Sequence, residues 1–196
     1  IRSIVSLLKL TFSRGHRQPP ERDAASHGWG MTAQSLFEPI SVLVVDDSAY
    51  MRHLLMTLLQ ALGVKEVLLA IDGDEAWDLL QSKEPDIIIT DAAMMPVDGF
   101  SFASRLRSIR GRALGMVPII MVSGHTDIAS VERARDIGIS EFLSKPISAR
   151  GLYERLIQVL DRPRQFVETP TYRGPDRRRR DRPFEGEDRR GAVALI

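Results

Sequence analysis

The sequence predicts an α/β protein, built on a doubly wound parallel sheet with helices on both faces. Three observations indicate this class. Apolar runs alternate five times with helical patterns between residues ~40 and 161. The runs are short and largely β-branched, as in strands buried on both faces. Polar residues end the first run, where Ser48 can cap the next helix.

The first unit begins with Ser41–Val45, a continuous apolar run that predicts a buried strand. Ser48 is a typical N-cap, and Gly63 is a fitting helix stop. The apolar residues between them recur at helical spacing: Met51, Leu54, Leu55, Leu58 and Leu62.

The remaining units follow the same logic. Val64–Ala70 predicts the second strand, and Asp72–Lys83 predicts a helix whose early acids and late lysine match the helix macrodipole. Ile87–Thr90 predicts a third strand that leads into Asp91. The later predicted elements are helix Ser101–Arg110, strand Pro118–Val122, helix Thr126–Ile137, strand Glu141–Ser144 and helix Ser148–Asp161.

Composition excludes several classes of protein. The chain has 196 residues, which suits one domain with extensions, and its formal net charge of +1 favours no particular partner. It has no cysteine, which excludes disulfides and thiolate metal sites and fits a reducing cytoplasm. No apolar run approaches the ~20 residues of a membrane span.

Chemically useful side chains follow four of the five strands. Asp46 and Asp47 follow the first, Asp91 the third, Ser123 the fourth and Lys145 the fifth. The carboxyl ends of parallel strands meet at one edge of the sheet, where such folds bind their ligands. We therefore expect these side chains to share one crevice.

Clustered carboxylates repel one another at about 4 kcal/mol per pair at ~4 Å. Such a cluster favours a hard cation, and oxygen ligands favour Mg²⁺. The cation and Lys145 would neutralise a phosphoryl group arriving at Asp91, with Ser123 donating a hydrogen bond to it. Taken singly, each motif has a plainer interpretation: a helix cap, a turn or a solvated loop.

The segment from about Val42 to Leu160 resembles the receiver domains of two-component response regulators. The resemblance implies a flavodoxin-like sheet with strand order 2-1-3-4-5. It also implies Mg²⁺ bound by Asp46, Asp47 and Asp91, with Asp91 as the phosphoacceptor.

Further roles follow from the resemblance. The Ala93 backbone carbonyl would be a further protein ligand to the metal, and Ser123 the switch hydroxyl. Lys145 matches the family lysine, whose bond to Pro146 is cis in many relatives. Phe142 matches an aromatic switch position, with a simple core residue as the alternative.

The loop after Asp91 departs from the family pattern, because Met95 stands where proline is expected and Pro96 follows. Ala93 and His125 occupy positions that tune dephosphorylation in relatives. Neither offers a carboxylate or amide to orient water. We therefore expect a phosphoryl lifetime longer than that of fast chemotaxis receivers, which a half-life of a few seconds would contradict.

Both ends of the chain are expected to be extensions of the domain. Residues 1–39 are expected to be disordered or to lie upstream of a start at Met31, with a targeting peptide as the alternative. Residues 162–196 are rich in arginine, including the run Arg177–Arg180, and are expected to form a mostly disordered tail. This tail could be solvated, dock a protein or bind nucleic acid, the last being disfavoured by interspersed acids.

These features predict a stand-alone cytoplasmic receiver that accepts a phosphoryl group from a histidine kinase or histidine-phosphotransfer protein. It would then switch binding of a downstream protein at the face of helix four, strand five and helix five, or relay the phosphate. It would not be an enzyme beyond promoting its own phosphorylation and dephosphorylation. The alternatives are a nucleic-acid-binding regulator acting through the tail, and a scaffold that is never phosphorylated.

Overall fold

The computed structural model describes residues 36–124 and 127–177. Its main sheet has five parallel strands in the order β2-β1-β3-β4-β5, as the resemblance implies. The strands are β1 (Ser41–Val45), β2 (Glu66–Ala70), β3 (Ile87–Asp91), β4 (Ile119–Ser123) and β5 (Glu141–Ser144).

Five α-helices connect or follow these strands. They are α1 (Ala49–Leu62), α2 (Gly73–Leu79), α3 (Gly99–Ser108), α4 (Ile128–Ile137) and α5 (Ala149–Leu160), with a short 3₁₀ turn at Ala113–Met116. At the start of each of the five helices an N-cap side chain accepts a backbone N–H of the first turn: Ser48, Asp72, Asp98, Asp127 and Ser148. The α3 and α4 helices begin at Gly99 and Ile128, where the sequence predicted Ser101 and Thr126. The α2 helix ends at Leu79, before the predicted Lys83, because residues 80–83 continue as turns.

Alternate residues of each buried strand enter two separate cores, one on each face of the sheet. Leu43 and Val45 of β1 join the core formed with α2, α3 and α4. Val42 and Val44 join the core formed with α1 and α5. This two-sided burial explains the uninterrupted apolar runs in the sequence.

The predicted N-terminal boundary at residue 39 is wrong by a few residues. Phe37 is fully buried in the α1/α5 core, and its ring meets Tyr153 edge to face at 5.9 Å. The expectation of disorder is therefore corrected for residues 36–39, because this apolar side chain completes the core. The predictions for residues 1–35, including a start at Met31, lie outside the described residues.

The expected disordered tail is corrected for its first part. Residues 166–168 and 173–175 form an antiparallel hairpin, β6 (Phe166–Glu168) and β7 (Arg173–Pro175). The hairpin is ordered because its arginines bond backbone carbonyls of the domain and Val167 is buried. Residues 178–196, with most of the arginine run, lie outside the described part.

Candidate functional site

Asp46 lies at the carboxyl end of β1 and is almost completely buried. Its Oδ1 accepts the Ser48 backbone N–H at 2.9 Å, so this acid also orders the start of α1. Arg52, one turn into α1, donates from Nη1 to the Asp46 carbonyl at 2.7 Å. These bonds fix the direction of the carboxylate towards the crevice.

Asp91 lies at the end of β3 and is also buried. Its Oδ1 accepts the Ala92 N–H at 2.9 Å, which leaves Oδ2 directed at Lys145. Gly99 packs against the Asp91 backbone so closely that a Cβ there would lie 1.9 Å from the Asp91 carbonyl oxygen. The glycine of the Asp98-Gly99 pair is thus required by this close approach.

Lys145 reaches the crevice from the end of β5. Its Nζ lies 3.1 Å from Asp91 Oδ2 and 3.4 Å from Asp46 Oδ2. Its backbone N–H donates to the Ser123 carbonyl at 2.8 Å, which joins the ends of β4 and β5. The Lys145–Pro146 bond is cis, as the resemblance implies.

The donor set fits a divalent cation. One carboxylate oxygen from each of Asp46, Asp47 and Asp91 lies within 4.8 Å of the others. Oxygens around an octahedral Mg²⁺ are about 2.9 Å apart at adjacent corners and about 4.2 Å at opposite ones. Three carboxylates against one ammonium leave a charge of −2, which such an ion would balance.

Burial raises the pKa of Asp46 above its ordinary value, and the nearby Asp91 charge adds to this effect. The hydrogen bond from Ser48 and the charge of Lys145 oppose it without cancelling it. Burial thus makes ionisation of this acid costly, and a bound cation would relieve that cost.

The other predicted site residues are Ser123, Ala93 and Phe142, and their positions do not by themselves assign a role. Ser123 is buried at the end of β4, next to Lys145 in the sheet, while Ala93 is exposed in the loop after Asp91. The role of the Ala93 carbonyl as a metal ligand stays a prediction. Phe142 is half-buried and packs on the core beside α4, so both interpretations of this residue stand.

The unusual loop after Asp91 keeps its length but has a second cis peptide bond, Met95–Pro96. Met95 is 79% exposed. His125 lies outside the described residues. The contact of Arg52 with the Asp46 carbonyl was not predicted from the sequence. An arginine in a helix is too common to indicate one particular contact.

The fold and the site together define a doubly wound α/β domain with an acidic crevice and one lysine at the carboxyl ends of its strands. Residues 42–157 match the family model described as the response regulator receiver domain. The chain belongs to this family.

Two curated relatives illustrate the range of the family. The chain is 36% identical over 122 residues to a chemotaxis protein CheY homolog of Campylobacter jejuni, covering 62% of this chain and 92% of that protein. It is 31% identical over 121 residues to the probable transcriptional regulator ycf27 of Porphyridium aerugineum, covering 62% of this chain and 48% of that relative. The chain thus spans about half the length of the ycf27 regulators.

Solved structures of response regulators have the same fold as this domain. The chemotaxis protein CheY4 of Vibrio cholerae superposes with a TM-score of 0.57 at 32% identity, covering 62% of this chain and 98% of that one. A putative response regulator from Chloroflexus aurantiacus gives a TM-score of 0.58 at 28% identity, with 63% and 98% covered. Within the described residues, no helix is long and apolar enough to cross a membrane.

Proposed function

We propose that this chain is a phosphorylation switch that accepts a phosphoryl group on Asp91 from a phosphohistidine donor. One observation carries the proposal: a single lysine bridges two buried carboxylates from different strands, with a third carboxylate beside them. A helix cap or a solvated loop needs no such convergence. The chain would promote only its own phosphorylation and dephosphorylation.

The chemistry is a direct displacement at phosphorus. A carboxylate oxygen of Asp91 forms the new O–P bond while the P–N bond to the donor imidazole breaks, and the electron pair returns to the imidazole nitrogen. Lys145 neutralises charge on the transferred group, and Ser123 donates a hydrogen bond to one of its oxygens. Mg²⁺, held by Asp46, Asp47, Asp91 and the Ala93 carbonyl, would supply further charge neutralisation.

Two exposed apolar regions suit the partners of such a switch. Tyr50, 73% exposed, and Met95, 79% exposed, lie close in sequence to Asp47 and Asp91 and would face a histidine kinase or phosphotransfer domain. Ile128 on α4 is 78% exposed, and we place the downstream protein on the α4/β5/α5 face. These partners and the absence of cysteine favour the cytoplasm.

The test is phosphorylation of the full chain by a small phosphoramidate with Mg²⁺, followed by intact mass. We expect one added phosphoryl group in wild type and in the control Asp161→Asn, which changes an exposed acid of the same type. We expect none in Asp91→Asn or after chelation of the metal. Equal labelling of Asp91→Asn would refute the proposal.

The two alternatives give different results in the same preparation. A scaffold would take no phosphoryl group, and treatment with phosphoramidate would leave its partner binding unchanged. A nucleic-acid-binding regulator would bind DNA or RNA with a steep salt dependence that disappears when residues 163–196 are deleted.

A further inference from the structure

The β6–β7 hairpin lies at the end of the sheet opposite the acidic crevice. Its contacts fall on the segment that connects α4 to β5, where Gly138 and Ser140 precede the strand that carries Lys145 at its far end. The hairpin therefore meets the same α4–β5 unit as the crevice, from the other side of the molecule.

Arg164 makes the most extensive of these contacts. It donates to the carbonyls of Ile139, at 3.4 Å, and of Ser140. It also lies 4.0 Å from the buried Glu141 carboxylate and donates to the Asp176 carbonyl at 3.0 Å. One guanidinium thus ties both ends of the hairpin to the start of β5.

A second set of arginines joins the hairpin to α3. Buried Arg107 donates to the Gly138 carbonyl at 3.0 Å and to the Gly115 carbonyl at 2.8 Å. Arg173 donates to the Arg107 carbonyl at 3.1 Å, and both guanidinium groups lie within 6 Å of the Phe166 ring. Burial lowers the pKa of Arg107 to about 9, so the group is still charged at neutral pH.

Backbone packing and an ion pair complete the contact with α4. Gly138 ends the helix with φ of +94°, and a Cβ on Gly174 would lie 2.6 Å from its Cα. Beyond it, Arg177 pairs with Asp136 in the last turn of α4 at 3.5 Å. No side chain larger than glycine fits between the two segments.

The beginning of α4 is held much less firmly. Among its ten residues only Ala134, near the end, is buried, while Ile128 and Val131 are 78% and 42% exposed. Helices with few buried apolar contacts open at low free energy. The helix is therefore anchored at its last turn and weakly restrained at its first.

We propose that residues 164–177 form a clamp that fixes the last turn of α4, so that rearrangement of this helix is confined to its first turns. The consequence for signalling rests on the proposed function: phosphorylation at the crevice would move the turn carrying Ile128 and Val131 while the α4–β5 junction serves as the pivot. The exposed apolar side chains are then the mobile part of the output face.

Amide hydrogen exchange in the full chain tests the clamp directly. Gly138 and Ile139 donate to the Arg135 and Ala134 carbonyls and report on the last turn, and Val131 reports on the first. We expect Arg164→Met to speed exchange at Gly138 and Ile139 by about tenfold or more. Arg150→Met, which removes an exposed arginine paired only within α5, should leave both unchanged.

A second variant with a smaller expected effect tests the clamp even if Arg164→Met does not fold. Arg177→Met leaves the Arg164 bonds intact and removes the surface pair with Asp136 and the stacking of the guanidinium on the Tyr172 ring. It should speed exchange at Gly138 by about two- to fivefold, as such weak surface contacts allow. Exchange within twofold of wild type in both variants would overturn the clamp. This arm needs no phosphorylation, so it stands or falls independently of the proposed function.

The second arm compares wild type before and after phosphoramidate treatment, with intact mass counting the phosphoryl groups. We expect Val131 exchange to change several-fold while Gly138 and Ile139 stay within about twofold. Equal changes at both ends would contradict a pivot at the α4–β5 junction. Absence of a phosphoryl group would count against the proposed function. The clamp would then be tested by the exchange rates of the arginine variants alone.

Discussion

At the scale of single residues, Asp46 combines two opposed requirements. Its carboxylate must be ionised to bind a cation, yet it is buried, and burial raises its pKa. A raised pKa in the folded state means that the contribution to stability is present below the unfolded value of 3.8 and is lost as pH rises through the folded value. Without metal, the ionised group therefore destabilises the protein at neutral pH.

Asp46→Asn should for this reason raise the melting temperature measured at neutral pH in a chelator. The same change should weaken the stabilisation by Mg²⁺, which for an intact site reaches about 2.7 kcal/mol at a hundredfold excess over Kd. Thermal melts with and without Mg²⁺ measure both effects, with Asp161→Asn as the unchanged control. A lower melting temperature in the chelator would contradict this account of Asp46.

At the scale of elements, the hairpin depends on a glycine at the end of α4. Gly138 has a left-handed φ of +94°, and a Cβ there would lie 2.6 Å from the Arg173 carbonyl oxygen. Gly111 also has a left-handed φ, of +71°, but a Cβ there would meet nothing within 4 Å. Replacing either glycine therefore carries the backbone cost of a left-handed residue. Only Gly138 also lies against the hairpin.

Gly111→Ala should cost about 1–2 kcal/mol of unfolding free energy, the usual cost of a left-handed residue other than glycine. Gly138→Ala should cost more, by about 1–3 kcal/mol, because its methyl group collides with β7. Urea denaturation of both variants measures the difference. Equal losses would show that the hairpin does not pack on Gly138 in solution.

At the scale of the whole molecule, the five-stranded sheet was predictable because each buried strand is a local signal. The runs Ser41–Val45 and Glu141–Ser144 coincide with the observed strands. The acidic crevice was predictable too, since parallel topology brings strand ends together. Bonds such as that of Arg52 to a carbonyl have no counterpart in residue spacing.

The hairpin was not predictable by the same reasoning. Its strands have three residues each, and its stability comes from arginines that bind carbonyls of distant segments. In the sequence these arginines are interspersed with acids, a pattern that is typical of a solvated tail. Only the folded domain shows that Arg164 and Arg173 have carbonyl partners within reach.

A chain ending at Arg177 should therefore be more stable than one ending at Pro163. The difference should be about 2–4 kcal/mol, because the shorter chain loses the buried Val167 and the bonds from Arg164 and Arg173 to backbone carbonyls. Urea denaturation of the two chains measures it. Identical midpoints would show that the hairpin does not stabilise the domain.

The central claim is that Asp91 carries the phosphoryl group. Borohydride reduces an aspartyl phosphate to homoserine, so reduction after treatment with phosphoramidate and Mg²⁺ marks the acceptor for peptide mass spectrometry. We predict homoserine at residue 91 and at no other aspartate, with none when Lys145 is replaced by Ala or the metal is removed. Homoserine at Asp46 or Asp47 instead, or a labelled chain with residue 91 unchanged, would contradict it.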